Sequence, residues 1–428
     1  MTLNRRPRST ADHRELRLWK VGRALSVTFA AAVLVSGGVF YGLVYLLDFQ
    51  EIDTTAKLDA KTLFDLVKLS FGVVAGAGAL VALVVAYRRQ RVDEAGAHRE
   101  ATRLHTERFS QAVDKLGSDS QAVRLGGVHA LAGLADDAPD DSLRQTCIDV
   151  LCAYLRLPFA PDPGDLPDPL PNGTSPSEER RDAHQDKKDR YRAFREVRHT
   201  ILRLIGDHYR VPGGTHRSWQ GCNLDLTGVT IDGNMDFTGA VFSGGTVKFR
   251  GASFSGGTVD FGHASFSGGR VGFIDASFSG GTVDFVCASF SGGTVGFVGA
   301  TFSGGNVHFG GATFSAGAVN FGGATFSGGT VHFGATFSAG ADVGFRGATF
   351  SAGADVRFVC ASFSGGRVDF GLASFSGGTV HFDLASFSGA DVHFEGTTGP
   401  VPVGLLAAVG TPVPSEIRLR ADWLPPDP

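Results

Sequence analysis

The chain has 428 residues, a formal net charge of −4 and 43% hydrophobic residues. A charge so near zero excludes a protein that works by holding polyanions on a basic surface, and the length exceeds one typical domain. The five cysteines (Cys147, Cys152, Cys222, Cys287 and Cys360) form no CxxC pair and have no histidine at ligand spacing. That excludes a zinc module and fits reduced, buried thiols in a cytosolic compartment.

Residues 1–23 carry Arg5, Arg6, Arg8, Arg14, Arg17, Lys20 and Arg23, and read as a basic cytoplasmic tail. The run Ala24–Leu47 has no charged residue, and neither has the shorter run Leu69–Tyr87. About 20 apolar residues cross a hydrocarbon core, so both runs are expected to be transmembrane helices. Arg88, Arg89 and Arg91 follow the second run at once. The positive-inside rule then gives a two-span protein of the cell membrane, with both termini cytoplasmic and an external loop at 48–68. Gly38–Gly42 and Gly72–Gly76 are GxxxG pairs that suit hairpin packing or homo-oligomer contact.

Residues 88–157 read as a small helical module. Phe109, Ala112, Val113 and Leu116 share one helical face, as do Val128, Leu131 and Leu134, and Ile148, Leu151, Cys152 and Leu155. The stretch from Arg108 to Asp141 resembles a HEAT-like helix pair. Residues 158–177 hold seven of the 17 prolines and read as a linker. An amphipathic helix is expected over 178–209, with Phe194, Val197, Ile201, Leu204 and Ile205 as its apolar stripe. That stripe has to bury itself on the module or over the first coil of the repeat region.

From 219 to 398 the composition changes to Gly, Phe, Ser, Thr and Val. Of 35 Phe, 27 lie between Phe237 and Phe394. A unit of twelve recurs thirteen times, starting at Ala240, Ala252, Ala264 and so on to Ala385. A fixed period means a solenoid, because each unit can bury its apolar side only against its neighbours. Phe-to-Phe steps alternate five and seven, and an Ala or Val stands two residues before each Phe. Alternate residues of a strand point the same way, so these pairs face inward. Two units make a 24-residue coil (5+7+5+7), or one makes a thinner coil of twelve; the wider interior suits Phe. At ~4.8 Å per coil the 24-residue form is roughly 30 Å long. One residue is missing at Phe333–Phe337, with longer steps from Phe337 to Phe345 and from Phe350 to Phe358. This predicts a local irregularity. Trp219–Asn223 and the tail 399–428 are expected to cap the ends.

A central Phe or Leu with a small residue two before it, advancing by five, resembles the pentapeptide-repeat family. The lead-in from Asp225 to Gly233, with Leu226 and Ile231 five apart, is closest to the standard repeat. The whole layout resembles membrane-anchored pentapeptide-repeat proteins of actinobacteria. The resemblance implies a right-handed β-helix with four faces per coil; the seven-residue step departs from it.

No catalytic, cofactor or metal site is expected: GxxxxGK[ST], GxSxG and HExxH are absent. The outward position between Val and Phe runs Lys248, Asp260, Gly272, Asp284, Gly296, His308, Asn320, His332, Gly344, Arg357, Asp369, His381, His393. With two units per coil, His308 and His332 fall about 5 Å apart, close enough to share a metal. Between Ala and Phe stands Ser or Thr in twelve of thirteen units, which fits an outward strand face. The expected function is a non-enzymatic, membrane-tethered scaffold that presents a rigid surface to a protein partner in the cytoplasm. Homo-oligomers through the GxxxG helices or the solenoid ends are compatible with it. The alternative is DNA mimicry, since some pentapeptide-repeat proteins resemble a duplex and bind DNA gyrase. Residues 219–398 hold twelve acids and six bases, a weak charge beside that of B-DNA, and nucleic acid itself is not an expected ligand.

Overall fold

The computed structural model describes residues 60–424 except Phe159, Pro161 and 168–174, together with scattered positions between 26 and 38. Two compact units divide at Ala101 and Thr102.

The expected membrane spans are overturned. Among the described residues no helix is long and apolar enough to cross a membrane. The run Ala24–Leu47 falls for the most part outside the described residues. The run Leu69–Tyr87 lies within α1 (Ala60–Leu116), a 57-residue helix that does not stop at its arginine flank. Taken over its whole length α1 is charged as well as apolar, with Lys61, Asp65 and Lys68 before the run and Arg88, Arg89 and Arg91 after it. The helix is already formed at Ala60, where the external loop was placed. The multi-pass location with both termini cytoplasmic falls with the spans.

In the second unit the last turns of α1 pack with α2 (Gln121–Asp136) and α3 (Asp141–Arg156) around Leu116, Val128, Leu131, Ile148 and Leu151. Asp140 starts α3 as its N-cap, accepting from the Leu143 N–H at 2.9 Å. Gly127 lets α2 meet α1, because a Cβ there would sit 2.6 Å from the Leu116 nitrogen. The fourth helix, α4 (Glu178–Arg210), is capped by Ser177 and buries Val197, Ile201, Leu204 and Ile205. Both sides claim that stripe. Helix α4 packs on α2, and Gly206 lies against the backbone of Asp236 in the first coil.

Residues 224–418 form a β-solenoid of about eight turns. All its strands pair in parallel, and through the regular coils each residue meets the one two units away: Phe254 with Phe278, Phe278 with Phe302, Val259 with Val283. Two twelve-residue units therefore close one coil. Each regular coil contributes four Phe, which stack in four columns. Phe266, Phe290 and Phe314 show the pattern, with ring centroids 4.7 and 4.6 Å apart and planes within 5° of parallel. The Phe side chains of the coils, and the Ala and Val two residues before them, are buried throughout, with the single exception of the half-buried Phe387 at the last turn.

Each five-residue step is a tight turn. The Ala252 N–H donates to the Phe249 carbonyl at 3.1 Å, and Gly251 between them has φ +62°. Six of these turns place another residue in the left-handed position: His263, Asp275, Cys287, Cys360, Leu372 and Leu384. The seven-residue step turns on its glycine pair. Gly268 and Gly269 both donate to the Phe242 carbonyl one coil below, and a Cβ on Gly269 would lie 2.5 Å from the Gly244 oxygen. At this corner the stacked backbones come too close for a side chain.

The missing residue at Phe333–Phe337 leaves the columns intact. Phe314, Phe337 and Phe363 still stack at 4.8 Å. The change is taken up in the backbone, where the Ala335 N–H donates to the Phe333 carbonyl two residues back. The longer steps turn Ala341 and Ala354 inward, both buried.

Aromatic rings close the two ends. Tyr209 of α4 covers Phe237 and Phe242 at 5.8 and 5.4 Å, and Trp219 stacks on His208 at 4.2 Å beside it. At the far end Trp423 covers Phe375 and Phe394 at 5.9 and 5.8 Å. The strand Ile417–Arg418 supplies the last rung.

Removing one ring from the middle of a column should leave a cavity that the fixed coil spacing cannot close. Phe290→Ala is expected to cost about 3–5 kcal/mol in urea unfolding; an unchanged midpoint would contradict the column. Conversely, Leu384 is 82% exposed and sits at φ +57°. Leu384→Gly relieves a left-handed conformation worth roughly 1–2 kcal/mol, so the midpoint should rise. A fall would show that the leucine side chain matters more than its backbone.

Candidate functional site

The outward positions between Val and Phe fall on two ladders, because only units two apart are in register. One ladder runs Asp236, Asp260, Asp284, His308, His332, Arg357, His381. The other runs Asp225, Lys248, Gly272 and then Gly296, Asn320, Gly344, Asp369, His393, Arg418.

The carboxylates on these ladders first serve the fold. Asp236, Asp260, Asp284 and Asp369 each accept from the backbone N–H two residues on, at 2.7–2.8 Å, and Asn320 does the same at 2.7 Å. They brace the turn after their strand, the Asx arrangement of short polar side chains. Farther along, Arg357 pairs with Asp355 at 2.5 Å, His381 with Asp383 at 3.1 Å and His393 with Asp391 at 2.6 Å.

His308 and His332 differ. They are register partners on strands Thr301–His308 and Thr325–His332, both half-buried. Burial, then His308, then Arg357 hold the His332 imidazole below its ordinary pKa. Among the described residues no three His, Cys, Asp or Glu side chains converge on a common metal position.

The two histidines lie in a belt with no Asp, Glu, Lys or Arg from Phe285 to Ala341, more than two coils. In this belt the two short strands of each unit merge into four continuous eight-residue strands: Ser289–Gly296, Thr301–His308, Thr313–Asn320 and Thr325–His332. Ser and Thr, half-exposed, line both faces. The belt is visible in the sequence as a 57-residue gap in charge, a signal that motif searching does not look for.

The thiols are not uniformly buried. All five are free; Cys147 and Cys152 are buried, Cys222 is half-buried, and Cys287 and Cys360 are exposed. The exposed pair occupy left-handed turn positions, which face solvent. Cys147 lies 3.8 Å from the buried His105. Burial pushes the thiol up to about 11 and the imidazole down, which favours the neutral form of each.

The strongest polar cluster joins α4 to the first coil. Asp232 accepts from Arg195 at 2.6 Å and faces His199 at 2.9 Å, while the buried Arg198 donates to the Leu155 carbonyl at 2.7 Å. The His199 hydrogen bond, opposed by burial and helped by Arg195, holds the Asp232 carboxyl well below its usual range. This is a fastening between helix and solenoid. An apolar groove of about 530 Å³ opens nearby between Leu116, Tyr154, Leu157 and Phe194, with the Arg124 guanidinium 4.5 Å above the Phe194 ring.

A carboxylate with a depressed pKa stabilises the fold above its unfolded value, near 4, and loses that contribution as pH falls through the folded value. Asp232→Asn should therefore cost about 1–3 kcal/mol at neutral pH and flatten the acid limb of the stability curve. Unfolding measured between pH ~2 and 7 checks both; an unaltered acid limb would place the pH sensitivity elsewhere.

Compared with known protein families, with curated proteins and with solved structures, the chain matches none.

Proposed function

We propose that the chain is a non-enzymatic interaction scaffold, a pentapeptide-repeat-like solenoid that offers a protein partner its charge-free belt. The observation that carries this reading is the coincidence of three properties between Phe285 and Ala341: no formal charge, the longest strands of the solenoid, and small polar side chains facing out. Docking on such a face removes no ion from water, a cost that opposes most flat polar surfaces. The stacked core keeps the face rigid, so little ordering entropy is lost on association. Outside the belt, charged positions return on both sides, at Asp284 and Asp342 and beyond. They set a polar rim of the kind that gives specificity. Duplex mimicry has less support, because the outward carboxylates give way to His308, His332 and Arg357 along the same ladder.

Partners cross-linked to the full chain in cells and identified by mass spectrometry test this, with Thr301→Lys and Thr313→Lys compared separately with the parent. Both side chains are half-exposed, one on each sheet of the belt. At least one substitution should remove a partner that the parent captures. A partner set unchanged in both would count against the belt.

A further inference from the structure

The geometry points to a two-imidazole site for a borderline divalent transition metal, such as Zn²⁺ or Ni²⁺, formed by His308 and His332 on consecutive rungs of the solenoid.

Four observations carry it. The two residues are in register on parallel strands, so their backbones are held about 4.8 Å apart. Metal–imidazole bonds of ~2.0–2.1 Å bring two ring nitrogens to a common ion from that spacing with a small inward tilt. Next, the imidazoles are free. His199, His208, His381 and His393 each face a carboxylate, whereas His308 and His332 have no hydrogen-bond or ion-pair partner among the described residues.

Third, the His332 ring rests over glycines. The position two residues on is Gly in both units, Gly310 and Gly334, and the His332 ring lies over these glycines, about 2.9 Å from where a Gly334 Cβ would be. Fourth, the charges around the pair do not repel a cation. Asp284 is the next rung beside His308. Arg357, the next rung beside His332, is held by Asp355 through three contacts of 2.5–3.0 Å. The belt supplies no other formal charge.

Two ligands make a partial coordination sphere, and water completes it. The ion is therefore exchangeable, unlike the closed four-ligand ion of a structural zinc site. Binding needs both imidazoles neutral, so it competes with protons. When empty and acidified, the two rungs set like charges beside each other; an ion bound by both rings displaces both protons.

The test is calorimetric titration of the full chain with Zn²⁺ at pH 7.5, in the parent, His308→Asn, His332→Asn and His381→Asn. One equivalent should bind the parent, with affinity lower by roughly tenfold or more in either of the first two variants and unchanged in the third. Affinity should fall as the pH is lowered. Circular dichroism controls for folding, and His308→Gln and His332→Gln replace any Asn variant that fails it. With Cu²⁺ as probe, the magnetic resonance spectrum should show two coordinated nitrogens in the parent and one in each single variant. A double variant, His308→Asn with His332→Asn, that binds Zn²⁺ as the parent does would overturn the assignment. So would a loss in His381→Asn equal to that in His308→Asn.

Discussion

Everything in the solenoid depends on one match of lengths. Parallel strands stand about 4.8 Å apart, and aromatic rings stack face to face at nearly that distance. A Phe on one coil can therefore rest on the Phe of the next without tilting the backbone of either. Observed centroid separations of 4.6–5.1 Å with nearly parallel planes show four columns built on this match. The core then fixes the register, and the register fixes which outward residues become neighbours. Where the chain loses or gains a residue, the columns hold and the corners change, as at Phe333–Phe337 and at Ala341 and Ala354. Burying a ring is worth about 1.5–3 kcal/mol, more than a reshaped exposed turn costs, so the discrepancy moves outward.

Much of this was legible in the residues. The five- and seven-residue steps, with Ala or Val two before each Phe, name the inward positions, and the structure buries them. The glycine pairs mark corners, and the distances between stacked corners explain why they are pairs. The end caps were only partly legible. Trp219 does lie at the first coil, but the ring that closes the Phe columns is Tyr209, one helical turn beyond Ile205, where the expected apolar stripe ends. The apolar stretch within α1 misled for a physical reason. Hydropathy and flanking arginines describe a segment, whereas helix length is set by backbone hydrogen bonding, which runs on through Arg88–Arg91 to Leu116.

The outward side was harder to read. Alternate units fall on two separate ladders, and which outward residues are neighbours depends on coil size. The turn-bracing carboxylates were not legible at all, since their acceptor role depends on the N–H two residues on pointing back. The exposed Cys287 and Cys360 were misjudged because cysteine is usually buried. Each occupies the turn position that is Gly in units such as Gly251 and Gly311, and that substitution pattern was the available signal.

The twelve-residue half-coil has a consequence for how such a chain can change length. Inserting or deleting two whole units adds or removes a full turn, and every outward residue downstream keeps its face. Inserting or deleting one unit also preserves the Phe core, since both halves bury the same pattern. It nonetheless carries all downstream side chains to the opposite face: His393 and Asp369 would line up behind His332, and Arg357 and His381 would cross over. The buried half of the molecule is thus indifferent to a half-turn edit that rewires the whole exposed half. A gene that grows by duplicating one unit can exchange its surface in a single step while its stability scarcely changes.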